Sequence, residues 1–68
     1  MTKMAIVRRI LGITQKELSE ITGIDSSTIS RLENGIMKPY PGWQRKIADA
    51  LGWDGNIDEL FEEVKNVK

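Results

Sequence analysis

The chain has 68 residues, in which ten Lys or Arg are balanced by ten Asp or Glu, and it contains no cysteine and no histidine. This length is enough for one domain, expected to span 1–68, and the missing residue types remove disulfides, thiolate metal sites and the commonest general base. We therefore expect no metal, no cofactor, no small-molecule substrate and no enzyme. The longest apolar run, Met4–Val7, is far shorter than the roughly 20 residues of a membrane span, so we expect a soluble cytoplasmic protein with no membrane partner.

Start and stop signals divide the chain into five predicted helices. They span about 3–11, 15–22, 26–34, 42–51 and 57–66. Glycine follows four of these segments, where a left-handed residue often ends a helix: Gly12, Gly23, Gly35 and Gly52. The start signals are a Thr14–Glu17 capping box, Asp25, Pro41 as a first helical residue, and Asn56 with Glu59. No segment alternates with the period of a strand, so the sequence predicts an all-α fold, a compact five-helix bundle.

Apolar residues at helical spacing predict the core of the bundle. They are Met4, Val7, Leu11, Leu18, Ile21, Ile24, Ile29, Leu32, Trp43, Ile47, Ala50, Leu51, Trp53, Ile57, Leu60, Phe61 and Val64. Both tryptophans are interpreted as core anchors and not as stacking platforms for bases, because each lies on an apolar stripe. Ile6 and Ile10 form a second stripe on the first helix, which is either ordinary exposed surface or a contact site.

The segment from Thr14 to Gly35 predicts a helix-turn-helix. Its two helices are joined by only three residues, Gly23–Asp25, which is too short for an antiparallel hairpin. A turn of this length that contains glycine holds two helices near a right angle. That geometry lets one helix brace against a DNA backbone while the next enters the major groove.

The third predicted helix has a polar side that no acidic residue occupies. With Ile29 and Leu32 pointing inward and about 100° of turn per residue, the opposite side can be assigned. Its members are Ser26 at the leading edge, Ser27, Ser30, Arg31 and Asn34. Serine and asparagine are poor helix formers, so their presence costs helix stability without an obvious structural return. We expect this side to bind a ligand; the alternative is a merely polar, solvated face.

Charge is distributed unevenly along the chain. Residues 1–46 carry eight basic and four acidic side chains, whereas residues 47–68 carry two basic and six acidic ones. This asymmetry indicates a partner that presents negative charge to one side of the protein, although chance segregation in a short chain is the alternative. The acids Asp58, Glu59, Glu62 and Glu63 are interpreted as a solvated helix face and not as a metal site.

The segment TQKELSEITGIDSSTISRLENG resembles the helix-turn-helix of the Cro/repressor family, the XRE-like regulators that include the phage lambda-type repressors. The flanking VRRILGI and KPYPGWQRKIADALGW…IDELFEE are similar to the first, fourth and fifth helices of that family, so the resemblance covers about 4–62. It implies a lambda-repressor-like bundle with the helix-turn-helix in helices 2 and 3. The implied function is a sequence-specific, double-stranded DNA-binding transcriptional regulator, expected to be a repressor that binds as a homodimer on a two-fold site.

The same resemblance implies roles for individual residues. The implied phosphate contacts are Gln15, Asn34 and Lys38, the implied base contacts are Ser26, Ser27, Ser30 and Arg31, and Arg8 with Glu33 is an implied ion pair. The full set of expected DNA-binding residues is Thr14, Gln15, Lys16, Ser26, Ser27, Thr28, Ser30, Arg31, Asn34 and Lys38. Three features depart from the family pattern: the short Ser26, the loop 36–41 and a small insertion at 54–56.

Two classes of function stay open after this comparison. The basic first part of the chain favours DNA binding. The neutral total charge mildly favours a protein-interaction module, such as an antitoxin or anti-repressor, which would dock through Ile6 and Ile10 or through the acidic last helix. An enzyme has no feature in its favour, because the sequence offers neither a nucleophile–base pair nor a phosphate-binding glycine loop.

Overall fold

The structure is a computed structural model, and it describes residues 1–64. Five helices form the fold, and their bounds are α1 Lys3–Ile10, α2 Gln15–Thr22, α3 Ser26–Glu33, α4 Pro41–Leu51 and α5 Ile57–Leu60. The predicted all-α five-helix bundle is therefore confirmed. Over these 64 residues the β pairing is confined to one isolated antiparallel bridge between Thr2 and Glu63. No helix in this part of the chain has the length and apolar content that crossing a membrane requires.

Local capping explains where α2 and α3 begin. The Thr14 hydroxyl accepts a hydrogen bond from the Glu17 amide (3.0 Å), and the Glu17 carboxylate accepts one from the Thr14 amide (2.9 Å), which completes the predicted capping box. The Asp25 side chain caps α3 by accepting from the Ser27 amide. Four of the five helices accordingly match their predicted bounds to within one residue.

The predicted fifth helix, 57–66, runs too far: among the described residues, 57–60 are helical and 61–64 are not. Helix α5 ends at Leu60, and the backbone then turns to the first residues of the chain: the Lys3 amide donates to the Glu62 carbonyl (3.0 Å) and the Val64 amide to the Met1 carbonyl (2.9 Å). These long-range bonds take the place of the next helical turn. A longer helix would also have placed Glu62 and Glu63 near its C-terminal end, where the helix dipole disfavours acids. Residues 65 and 66 of that prediction lie outside the described residues.

Most of the predicted core is buried or packed against the core. The buried apolar residues are Met4, Ala5, Leu18, Ile24, Ile29, Leu32, Ile47, Ala48, Leu51 and Leu60. Val7, Ala50, Ile57, Phe61 and both tryptophans are half-buried against them, so the tryptophans are core residues as predicted. Three of the predicted core residues, Leu11, Ile21 and Val64, are instead exposed. Leu11 is the C-cap of α1 and Val64 lies beyond the end of α5, so neither belongs to a helical stripe.

The exposure of Ile21 has a specific cause in the packing of α2. The inward side of this helix passes through Leu18 and Thr22, and not through Leu18 and Ile21. Thr22 can be buried because its hydroxyl is satisfied locally: it donates to the Leu18 carbonyl (2.8 Å) and accepts from the Ile24 amide (3.2 Å). The second stripe of α1 is also divided, since Ile6 is half-buried and Ile10 is exposed.

Candidate nucleic-acid interface

The turn between α2 and α3 is held rigidly. Gly23 adopts a left-handed conformation with φ of 77°, which L-residues other than glycine rarely adopt. The next residue, Ile24, is buried, and its amide is bonded to the Thr22 hydroxyl. Both helices therefore leave the turn in defined directions, as a helix-turn-helix requires.

The outward side of α3 consists of exposed polar residues. Ser26, Ser27, Arg31 and Asn34 are exposed, and Thr28 and Ser30 are half-buried on either side of the buried Ile29. The structure thus brings six of the ten predicted contact residues onto one helix and its C-cap. Arg31 takes part in neither of the two ion pairs found among residues 1–64, so its guanidinium is available to a ligand.

The first turn of α2 lies beside the C-terminal end of α3. Thr14 and Lys16 are exposed, and Gln15 is half-buried. The side-chain nitrogen of Gln15 donates to the Glu33 carboxylate at 2.9 Å, and this bond joins the two helices at that point. Gln15 and Asn34, two of the predicted phosphate contacts, are therefore neighbours of the same Glu33.

A buried ion pair joins α1 to the C-terminal end of α3. Arg8 on α1 donates to Glu33 through Nε (2.5 Å) and Nη2 (3.1 Å), and its Nη1 donates to the Ile13 carbonyl (2.8 Å). Arg8 is 7% exposed and Glu33 is 3% exposed. The pair implied by the family resemblance is confirmed, and both of its side chains are buried. Because Gln15 shares the same carboxylate, α1, α2 and α3 meet at one hydrogen-bonded cluster.

Lys38 lies apart from that cluster. It is exposed in the loop after α3 and lines a groove together with Gln44 of α4 and the acidic Asp58 and Glu63. No hydrogen bond or ion pair among the described residues joins Lys38 to the other predicted contacts.

One acidic residue of the last part of the chain lies beside the basic first part. The Glu63 carboxylate pairs with the Met1 ammonium group and lies against Gly35, immediately after α3. At the C-terminal end of α3, basic and acidic groups that are far apart in the sequence therefore lie close together in the structure. Within residues 1–64 no three acidic side chains converge as ligands of a metal ion would.

Sequence reasoning missed an acidic group at the leading end of α3. Asp25 is exposed, and its carboxylate accepts hydrogen bonds from both the amide (3.1 Å) and the hydroxyl of Ser27. The Ser27 hydroxyl and then the Ser27 amide stabilise the anion, so the pKa of Asp25 is lowered from its ordinary value. The sequence identified Asp25 as a helix cap, and that role was itself the signal that its charge would lie next to the outward side.

A family model described as "Helix-turn-helix" matches residues 4–54. The chain belongs to the XRE-type helix-turn-helix family. It is 41% identical over 54 residues to an "Uncharacterized HTH-type transcriptional regulator" of Methanothermobacter thermautotrophicus, an alignment that covers 79% of this chain and 77% of the relative. It is 36% identical over 55 residues to the "Uncharacterized HTH-type transcriptional regulator YqaF" of Bacillus subtilis, covering 81% and 70%. No solved structure matches the chain. Family membership supports DNA-binding regulation as the class of function and points away from an enzyme.

Proposed function

We propose that the protein is a sequence-specific transcriptional regulator of the cytoplasm, a repressor that inserts α3 into the major groove of double-stranded DNA. The observation that carries this proposal is the exposed polar side of α3, which the Arg8–Glu33–Gln15 cluster holds at a fixed position beside the first turn of α2. A rigid recognition helix next to a second helix terminus is the arrangement that allows base and phosphate contacts at once.

On this proposal α3 supplies the contacts to bases. Arg31 is the one long donor on the outward side, and a guanidinium can bind both acceptors of a guanine, which is worth about 1–3 kcal/mol of discrimination. Ser26 and Ser27 lie one turn earlier and have shorter reach. Thr28 and Ser30 are half-buried, so they contact only groups that approach the helix closely.

Phosphate contacts are proposed at both ends of the helix pair. Thr14, Gln15 and Lys16 surround the N-terminus of α2, where the helix dipole favours an anion. A glutamine side-chain nitrogen carries two hydrogens, so Gln15 can bind Glu33 with one and a phosphate with the other. Asn34 and Lys38 follow the end of α3 and would bind the backbone on the far side of the groove.

We further propose that two copies bind a two-fold site and meet through the loop after α3. One module of this size contacts about one half-site. In the loop, Ile36 is 72% exposed and Tyr40 is 63% exposed, so two large apolar side chains face solvent there. The patch is small, which favours a weak contact that forms when adjacent half-sites raise the local concentration of the second copy.

A selection from a random duplex pool followed by a salt titration tests the proposal. Each phosphate that a lysine neutralises on duplex DNA contributes about −0.9 to the slope of log affinity against log salt, so Lys16 and Lys38 together should give a slope with a magnitude of about 2 per subunit. Lys16→Gln and Lys38→Gln should each lower this magnitude by about 1. Lys3→Gln is the matched control, because the Lys3 ammonium lies over the Trp53 ring, and it should leave the slope unchanged. A pool without enrichment, or a flat plot, would contradict DNA binding.

One observation favours the second hypothesis, a protein-interaction module. Ile10 and Leu11 are 78% and 50% exposed and adjoin each other at the end of α1. The other expected support, an acidic last helix, is shorter than predicted, since α5 ends at Leu60, but the helix keeps the exposed acids Asp58 and Glu59. If the duplex pool shows no enrichment, an Ile10→Ser/Leu11→Ser variant that abolishes binding to a co-purifying protein would support this hypothesis instead.

A further inference from the structure

The hydrogen bond between Ser27 and Asp25 decides what Ser27 can offer to a ligand. Ser27 is exposed on the outward side of α3, and Arg31 lies one turn further along the same side. The Asp25 carboxylate oxygen Oδ2 accepts from the Ser27 amide and from the Ser27 hydroxyl. The hydroxyl of a contact residue is thus already bonded to the protein before any ligand arrives.

The direction of that bond follows from the chemistry of its two partners. An ionised carboxylate has no proton to give and can only accept. The pKa of Asp25 lies below its ordinary value, so the group is ionised at neutral pH. The hydroxyl of Ser27 is therefore the donor, and its one proton is committed to Asp25. What remains on the exposed side of Ser27 is a pair of acceptor lone pairs.

We propose that Ser27, with its proton held by Asp25, is an acceptor-only contact that selects a base with an exocyclic amino group. This inference rests on the proposed function. In the major groove the only strong donors are N6 of adenine and N4 of cytosine, whereas O6 and N7 of guanine and O4 of thymine are acceptors. A serine that is free to rotate can donate or accept and discriminates weakly. The Ser27 oxygen can accept a hydrogen bond from the amino group of adenine or cytosine. Opposite guanine or thymine, its lone pairs would meet the lone pairs of the base acceptors, which is unfavourable.

The charges of Asp25, the N-cap of α3, and of Arg31 lie on either side of this contact. The Asp25 carboxylate is exposed beside Ser27, and its negative charge disfavours a phosphate at this point. One turn along, Arg31 has the opposite preference, since a guanidinium can only donate. The helix therefore presents an acceptor at its leading end and a donor in the middle.

The test compares base preferences of the wild type with those of three variants, each first checked by thermal melting. Ser27→Ala removes the acceptor. Asp25→Gly keeps an acceptable helix N-cap residue but removes the oxygen that holds the Ser27 proton. Ser19→Ala is the matched control, because Ser19 is a serine on α2 that lies outside the proposed contact set.

We expect one position of the wild-type site to prefer adenine or cytosine, and we expect Ser27→Ala to lose this preference while Ser19→Ala keeps it. Asp25→Gly should broaden it to include guanine or thymine, because the freed Ser27 hydroxyl can then donate. Replacing the preferred base by its analogue without the amino group, purine or 2-pyrimidinone, should weaken the wild type about 3- to 10-fold, the range of a single hydrogen bond. The same replacement should leave Ser27→Ala unaffected.

Each contrary outcome has a distinct meaning. A wild type that selects a site in which Ser27→Ala changes no position overturns the role of Ser27 and leaves the proposed function standing. A preference for guanine or thymine at the position that depends on Ser27 overturns the acceptor-only assignment. A wild type that enriches no duplex overturns the proposed function, and this inference with it.

Discussion

Removal of the Glu33 carboxylate should cost a large part of the stability of the protein. Glu33→Ala leaves Arg8 only 7% exposed and without its anion, and it deprives Gln15 of its acceptor. Loss of one member of a buried ion pair typically costs about 3–5 kcal/mol. The Arg8 bond to the Ile13 carbonyl persists, which favours the lower end of that range. A 68-residue domain has a total free energy of unfolding of about 3–10 kcal/mol, so the loss is of comparable size.

Urea and thermal unfolding followed by circular dichroism measure this loss. A change of 1 kcal/mol shifts the melting temperature of a domain this small by about 4–8 °C, so Glu33→Ala should melt at least 12 °C below the wild type. Glu20→Ala, which changes an exposed acid on α2, is the control and should shift it little. An apolar double variant, Arg8→Met/Glu33→Leu, should lose far less than the two single changes together, because no charge is left buried and unpaired. If Glu33→Ala melts within 2 °C of Glu20→Ala, the inferred burial of the pair is wrong.

Three other predictions follow from the structure. Arg31→Ala should relax the sequence preference in duplex selection, whereas Lys38→Ala should weaken specific and random duplexes alike; equal losses for both variants on both kinds of duplex would refute this division. An NMR titration of the Asp25 carboxyl carbon should give a pKa below the ordinary 3.8, and Ser27→Ala should raise it, because the lowering comes first from the Ser27 hydroxyl. Because the pKa of Asp25 is lower in the folded protein than in the unfolded chain, the ionised Asp25 stabilises the fold. This stabilisation is fully present above the ordinary pKa and is lost as the pH falls through the lowered pKa; an unshifted pKa of Asp25 would contradict this prediction. Sedimentation should show a monomer at low micromolar concentration that pairs on DNA, and Ile36→Ser should weaken the pairing but not half-site binding; a tight dimer without DNA would refute this.

Helix starts could be predicted because their causes are local. The capping box of Thr14 and Glu17 involves atoms three residues apart, and the structure begins α2 at the predicted residue. The end of α5 has no local cause. It depends on backbone bonds to residues 1–3, about sixty positions away, and no periodic pattern in the sequence contains that information. The apolar residues 61 and 64 continue the helical spacing of Ile57 and Leu60 in the sequence, which explains why the predicted helix extends beyond the observed end.

The core shows the same division between local pattern and packing. Hydrophobicity favours Ile21 over Thr22 as the buried residue of α2, because threonine carries a hydroxyl that is costly to bury without a hydrogen bond. The structure buries Thr22 instead, since the Leu18 carbonyl and the Ile24 amide satisfy that hydroxyl. Periodicity thus located the inward side of α2 to within one residue. The choice between Ile21 and Thr22 depends on the hydrogen bonds of the Thr22 hydroxyl, which a pattern of apolar residues does not contain.

For the candidate site, the sequence identified which residues face outward but not which of their hydrogens are free. Helical phase placed Ser27 and Arg31 on the outward side, and both are exposed there. Yet the Ser27 proton is bound to Asp25, and one of the two Gln15 amide hydrogens is bound to Glu33. A face that looks rich in donors by composition therefore has fewer of them to give. On the proposed function, discrimination between bases falls to the donors of Arg31 and the lone pairs of Ser27, two groups with opposite requirements one helical turn apart.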